Sequence, residues 1–262
     1  MAQAANVVQL KPRTLQAFEA YIREAEDAMQ PALKGRSPFL WTDANAERAQ
    51  LVRQGKIVAQ LWAGEGPVKI PNGLIHDWSG AAFVPGRTVA QALALVQNYD
   101  NHKNIYQPEV IDSKLLSRDG DHFTIFLRLL KKKIITVVLD TDHDVQYTAL
   151  DATHCFCRSY TTRIAEVEDA GTPQESALEP DTGYGFLWRL YSYWKFAEKE
   201  SGSGRAEEGV YIECRAISLT RDIPLGLGWI IEPIIRNLPQ ESLVQTLEAT
   251  RQALLADSRA NG

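Results

Sequence analysis

The chain predicts an α+β fold in which a curved antiparallel sheet wraps around one long C-terminal helix, with a helical extension at the N-terminus. Three observations carry this reading. From Glu109 to Leu219, strand patterns follow one another across turns or loops with no helix between them, so neighbours in sequence must pair antiparallel. After Pro224, Leu227, Ile230, Ile231, Ile234, Ile235 and Leu238 lead into Leu243, Leu247 and Leu254, an apolar helical stripe. Before Gly55 the apolar spacing is helical rather than alternating.

The elements follow in order. Pro12 opens a helix over residues 12–34, because Leu15, Phe18, Ile22, Ala25, Met29 and Leu33 recur at three- and four-residue intervals. Asp43 is in place to cap a shorter helix that stops at Gly55. Residues 56–62 and 74–84 read as strands separated by a Gly- and Pro-rich turn. Thr88 and Gln91 have capping-box spacing, and Val89, Ala92, Leu93, Val96 and Tyr99 form one helical face. A short helical turn over 100–107 precedes Pro108. Strands then read over 110–118, 121–131, 133–140, 145–150, 153–168, 185–198 and 209–219, with Asp119-Gly120 the clearest hairpin turn. Two loops stand out, 169–184 and the Ser-Gly-Ser-Gly tip within 199–208. The terminal helix spans 224–255, with Pro239 marking a kink or a restart.

A length of 262 residues with 45% hydrophobic content supports one main core, with residues 1–55 as the helical extension and 56–262 as the main domain. A net charge of −5 with dispersed Lys and Arg argues against a nucleic-acid partner, which would need a concentrated basic surface. No apolar run reaches eighteen residues, so no transmembrane segment is expected. Ala2-Gln3-Ala4-Ala5 has the small-residue composition that flanks a signal-cleavage site, which raises export to the periplasm, with cytoplasmic residence as the alternative. Cys155 and Cys157 sit two apart on one strand face, where a mutual bridge is strained; one bridge to Cys214 is the alternative to three buried free thiols, the expectation here because free cysteine packs as a small apolar residue.

No phosphate-binding Gly loop, nucleophile elbow, HExxH or CxxC occurs, so no cofactor is expected. Asp140, Asp142 and Asp144 alternate as in a calcium loop, but Val145 stands where such a loop needs glycine; a polar strand turn accounts for them. Lys131, Lys132 and Lys133 read as a soluble strand end, with contact to anionic lipid head groups as the alternative.

Three stretches carry a resemblance: Val96-Gln97-Asn98-Tyr99-Asp100-Asn101-His102, Gly185-Phe186-Leu187-Trp188-Arg189-Leu190, and Ala216-Ile217-Ser218-Leu219-Thr220-Arg221-Asp222-Ile223-Pro224. With the element order, they resemble an uncharacterised bacterial branch of the START-like, or helix-grip, superfamily over about residues 74–256. That resemblance implies a helix-grip fold with a ligand cavity between the long helix and the sheet. It leaves the ligand and the oligomeric state open.

Within that frame the charged and aromatic residues of the strands are the candidates. In the strand 185–198, Arg189, Tyr191 and Tyr193 share one face, and Phe186, Trp188, Leu190, Trp194 and Phe196 share the other, more apolar one. Simple patterning turns the second face to the cavity and leaves the Arg189 face to solvent or the N-terminal helices. A cross-strand row of Arg163, Arg189 and Glu213 is the competing arrangement, either a buried anchor for a ligand head group or an exposed ion-pair ladder. Trp188, Arg189, Tyr191, Tyr193, Glu213, Arg163, Trp229, Ile230 and Ile234 are therefore the candidate ligand-binding residues. Tyr99, His102 and Tyr106 fall near the cavity mouth, with His102 expected to face solvent.

The leading expectation is a carrier or sensor that binds a small hydrophobic or amphipathic, lipid-like molecule. The alternatives are a small-molecule enzyme of cyclase or hydrolase type using Arg189, Glu213 or His102, and a structural module whose cavity is filled by Trp188, Trp194 and Trp229.

Overall fold

The structure, a computed structural model, describes residues 7–132, 136–199, 208–222 and 228–260, with the backbone alone described for 228–236 and 257–260. The Ala2–Ala5 stretch, Lys133 and the Ser-Gly-Ser-Gly tip lie outside the described residues.

The described strands are β1 (Val8–Gln9), β2 (Val58–Leu61), β3 (Val68–Ile70), β4 (Gly73–Pro85), β5 (Val110–Asp119), β6 (His122–Lys132), β7 (Thr136–Ala149), β8 (His154–Glu168), β9 (Ser176–Ala177), β10 (Thr182–Gly183), β11 (Arg189–Lys199) and β12 (Gly209–Arg221). The α-helices are α1 (Pro12–Leu33), α2 (Ala46–Arg53), α3 (Val89–Val96), α4 (His102–Ile105) and α5 (Gly228–Ala260). The main sheet runs β2-β4-β12-β11-β8-β7-β6-β5, antiparallel throughout and open at both edges, while β1 pairs with β10 beside it. Register shifts in β5 and at Asp142/His143 of β7 insert bulges, and such bulges add local bend and twist. The helix-grip arrangement follows, because α5 lies in the trough of this bent sheet. A Cβ on Gly80 of β4 would meet Leu247 Cδ1 at 2.7 Å and Leu243 Cδ2 at 3.1 Å, so glycine is what lets helix and strand approach.

Two helical systems cover the two faces. Leu243, Leu247 and Leu254 of α5 join Val89, Ala92 and Val96 of α3 over Trp78, Ala82, Phe123, Val145, Cys157, Phe196 and Cys214 on the concave face. Each fully buried Leu there contributes roughly 1.5–3 kcal/mol. On the opposite, convex face α1 buries Phe18, Ile22, Ala25 and Met29 against Ile75, Tyr193, Ile217 and Leu219. Trp41 and Leu40, just before α2, cover Ala81, Phe83 and Tyr211. The N-terminal helices are thus the outer cover of the sheet.

Local signals explain the element ends. Pro12 opens α1, and Thr88 with Gln91 forms the expected capping box of α3. Asn45, rather than Asp43, caps α2, its side chain accepting from Arg48 N at 2.8 Å. Asp43 instead pairs with Lys199 from a 3-10 turn over Thr42–Ala44. The expected break between strands 133–140 and 145–150 does not exist. β7 runs straight through the three aspartates, each matched across the sheet: Asp140 with Arg128 at 2.7 Å, Asp144 with His122 at 2.6 Å, and Asp142 with Arg163 at 3.7 Å. Cross-strand charge pairing keeps these polar residues in a strand where local propensity favours a turn. The backbone of α5 likewise continues through Pro239.

Lys131 is not a free strand end. Its Nζ sits, partly buried, between Glu109 and Ser242 Oγ of α5, the latter at 2.7 Å, and so ties the β6 edge to the helix.

Candidate functional site

The concave face is built of cross-strand rows, since residues opposite one another in an antiparallel sheet share a face. Beneath the described half of α5 the rows are apolar: Ala82, Ile212, Phe196, Cys155, then Gly80, Cys214, Trp194, Cys157, Tyr147. The next row is mixed, with Trp78, Ala216, Ser192, Ser159, Val145 and Phe123. The row beyond carries His76, Ser218, Leu190, Thr161, His143 and Ile125, with Leu190 joined to Thr161 by its N–H at 3.0 Å. Thr220 and Thr141 follow on the outer side. The trough therefore grades from apolar to hydroxyl- and imidazole-bearing along its length.

At its centre lie residues that are only partly buried. Ser159, Leu190, Ser192, Trp194 and Ala216 retain partial solvent access although they sit on the inner face of central strands, where a packed core would bury them. Around them the polar groups are buried and bonded. His76 Nε2 lies 3.0 Å from Thr220 Oγ1, and His143 Nε2 lies 2.9 Å from Thr141 Oγ1, with Ser159 Oγ 3.4 Å from His143 Nδ1. Burial pushes both imidazoles down to about 4, so both are neutral near pH 7. A neutral imidazole offers one donor and one acceptor, which suits an uncharged polar group. Cys155, Cys157 and Cys214 are free, buried and pushed to high pKa by that burial, so they serve as apolar floor.

The mouth helices supply a third imidazole. His102 is buried rather than solvent-facing, its Nε2 2.9 Å from Val96 O, and its ring packs against Tyr99 and Tyr106. Tyr99 and Tyr147 hydroxyls meet at 2.8 Å, and Tyr106 reaches Thr250 of α5 at 3.2 Å.

Most of the residues expected to bind ligand sit elsewhere. Tyr191, Tyr193 and Glu213 are on the convex face, with the helical cover over them, because the more apolar alternate residues of β11 and β12 took the concave side. Trp188 joins them there, in the cluster with Phe18 and Ile22. The strand begins only at Arg189, so the alternation that would have placed Trp188 beside Trp194 does not extend to it. The Arg163–Arg189–Glu213 row does not form. Arg163 faces Asp142, Arg189 binds Asp181 at 2.6 Å, and Glu213 pairs in register with Lys195. Register, which the strand patterns leave free, separates the three. The side chains of Trp229, Ile230 and Ile234 lie outside the described residues.

Glu213 instead pins the extension. Its carboxylate accepts from Trp41 N at 2.6 Å and from Thr42 N and Oγ1 at 2.8 Å each, and burial raises its pKa while those donors lower it. The trough residues missed by sequence reading are His76, Thr141, His143, Ser159, Thr161 and Ser192. Their period-two placement within strands was the available signal, but His143 was hidden by the supposed turn after Asp140.

No family model and no curated protein matches the sequence. Among solved structures, the chain is similar to a STAR-related lipid transfer protein from Xanthomonas axonopodis, at 14% identity and a TM-score of 0.45, over 72% of this chain and 99% of that one. It is also similar to the Zhui aromatase/cyclase from Streptomyces, at 11% identity and a TM-score of 0.43, covering 72% of this chain and 98% of that one. Human STARD10 aligns at 11% identity and a TM-score of 0.42 over 72% of this chain and 75% of that one. By its strand order, its bent sheet and the helix seated in the trough, the chain has a helix-grip fold.

Proposed function

We propose that the protein binds a small hydrophobic or amphipathic molecule in the trough beside α5. The apolar part lies on Trp194, Trp78 and Phe123, and a polar, uncharged end reaches His76, Ser218, Thr161 and His143. The observation that supports this most is the partial access kept by Ser192, Trp194 and Ala216 in the middle of the inner face, with a graded floor around them. Ligand pockets of this kind are mostly apolar with a few placed polar groups. The test is binding of the fluorescent apolar probe 1-anilinonaphthalene-8-sulfonate and its displacement by long-chain alcohols. Saturable binding at one site per chain, lost in Ser192→Phe with the fold intact by circular dichroism, is the expected result. Equal binding by that variant sinks the reading.

A second reading has one observation in its favour. Ser159 Oγ lies 3.4 Å from the neutral His143 imidazole on the same accessible floor, the pairing that a hydroxyl nucleophile and its base require, at a distance that must shorten on substrate binding. Arg189, Glu213 and His102 have no part in it, since none lines the accessible floor. Turnover of short acyl esters that vanishes in both Ser159→Ala and His143→Gln would establish a hydrolase. Turnover surviving either change would remove it.

A further inference from the structure

We propose that the seam between the convex face and the N-terminal extension holds a small anion-binding site, built on Arg215 and specific for a halide or a carboxylate group. A cavity of about 30 Å³ lies there, mostly apolar in its lining, with Met29, Trp41 and Trp62 beside Tyr193, Lys195, Glu213 and Arg215. Its polar groups are unevenly committed. Asp77 accepts Arg215 Nε at 2.9 Å, Arg215 Nη2 at 2.6 Å and Tyr21 OH at 2.7 Å, so its oxygens are engaged. Both Glu213 oxygens are taken by Trp41 N, Thr42 N and Thr42 Oγ1, and Lys195 Nζ donates to Phe39 O at 2.6 Å. Arg215 is different: its side chain is 8% exposed, and its Nη1 is buried with no hydrogen-bond partner. Buried polar groups are bonded in nearly all native structures, so a guanidinium N–H left over at a cavity calls for an acceptor.

Charge makes that acceptor anionic. The two cations of the lining, Arg215 and Lys195, are balanced by Asp77, which pairs with Arg215, and by Glu213, whose oxygens are taken by donors. Arg48, stacked 3.5 Å from the Trp41 ring centroid, adds a further cation at the wall. Size makes it small, because the volume accommodates roughly two water-sized centres, the span of a carboxylate or one halide. Access comes past Trp62, which is 40% exposed and lies with its ring 4.0 Å from the Arg215 guanidinium. The site is on the opposite face of the sheet from the trough and does not depend on what the trough binds.

The experiment uses sodium bromide and sodium formate on the full chain. Crystals soaked in bromide should show an anomalous peak in contact with Arg215 Nη1. In solution, formate should raise the melting temperature several degrees above an equal ionic strength of gluconate, which is too large to enter. Arg215→Lys keeps the charge but removes Nη1 and should abolish that difference. Should that variant fail to fold, Trp62→Ala, at a half-exposed position, should weaken the formate midpoint about tenfold by opening the site to water. Water density in the cavity with no bromide peak, or equal shifts from formate and gluconate in the wild-type protein, overturns the proposal.

Discussion

The two faces of one sheet are covered in different ways. Among the described residues the concave face meets α5 and α3 mainly through apolar side chains, Leu243, Leu247 and Leu254 over Trp78, Phe196 and Ile212, with hydrogen bonds at its borders from Lys131 to Ser242 and from Arg251 to Phe83 O, and Ser192 and Trp194 stay partly accessible. The convex face is closed by α1 and the Trp41–Thr42 turn through directional contacts: Tyr21 to Asp77, Trp41 and Thr42 to Glu213, and Tyr160 and Tyr193 to Glu26. Apolar contact is non-directional and tolerates a helix that shifts to admit a ligand, whereas buried hydrogen-bonded charge fixes one geometry. The concave side is therefore expected to yield before the convex side.

The sharpest way to break this comparison is Asp77→Ala. It leaves Arg215 buried and uncompensated and should cost about 3–5 kcal/mol, read as a fall in the urea midpoint with an unchanged slope. A loss below 1 kcal/mol would mean the convex network is dispensable. On the concave side, Gly80→Val pushes a side chain into Leu247 and Leu243. The expected cost is about 1–3 kcal/mol, together with loss of probe binding, because the helix must lift from the trough.

Acid should act through the concave side and the mouth. His76, His102 and His143 have folded pKa values pushed down by burial to about 4, below the ordinary 6.5. The unfolded chain therefore binds more protons below pH 6.5. Their stabilising contribution is complete above about 6.5 and is lost as the pH falls through 4. Unfolding midpoints measured between pH 7 and 4 should drop steadily, and His143→Gln with His76→Gln should flatten that slope. A pH-independent midpoint over this window contradicts the burial of the imidazoles.

Smaller effects sharpen the contrast. Thr88→Ala removes the α3 cap and should cost about 1 kcal/mol. Arg163→Ala, whose side chain is 38% exposed beside Asp142, should change stability by less than about 1 kcal/mol, as a solvated pair does. If Arg163→Ala instead abolished probe binding, that residue would have to be moved back into the site.

Much of the fold was legible in the chain. The helical spacing of Phe18, Ile22, Ala25 and Met29, the Thr88–Gln91 box and the Asp119-Gly120 hairpin are each local, so the sequence states them directly. The alternation of Trp194 and Phe196 against Tyr191 and Tyr193 also told the two faces of β11 apart, because apolar area drives one face inward. The site was far less legible. Period-two patterning ranks faces by apolarity, and it drew the candidate anchors from charged residues that proved to bind the cover.

What the sequence by itself determined is the main helices and long strands, their order and the more apolar face of β11 and β12, since these depend on propensity, spacing and apolar content along a few neighbouring residues. Only the tertiary structure decided which residues meet. Register placed Glu213 beside Trp41 and Thr42, set His76 and His143 in one row across six strands, and left Arg215 with a donor to spare. A one-residue change in pairing would alter every one of those meetings while leaving local propensities nearly untouched.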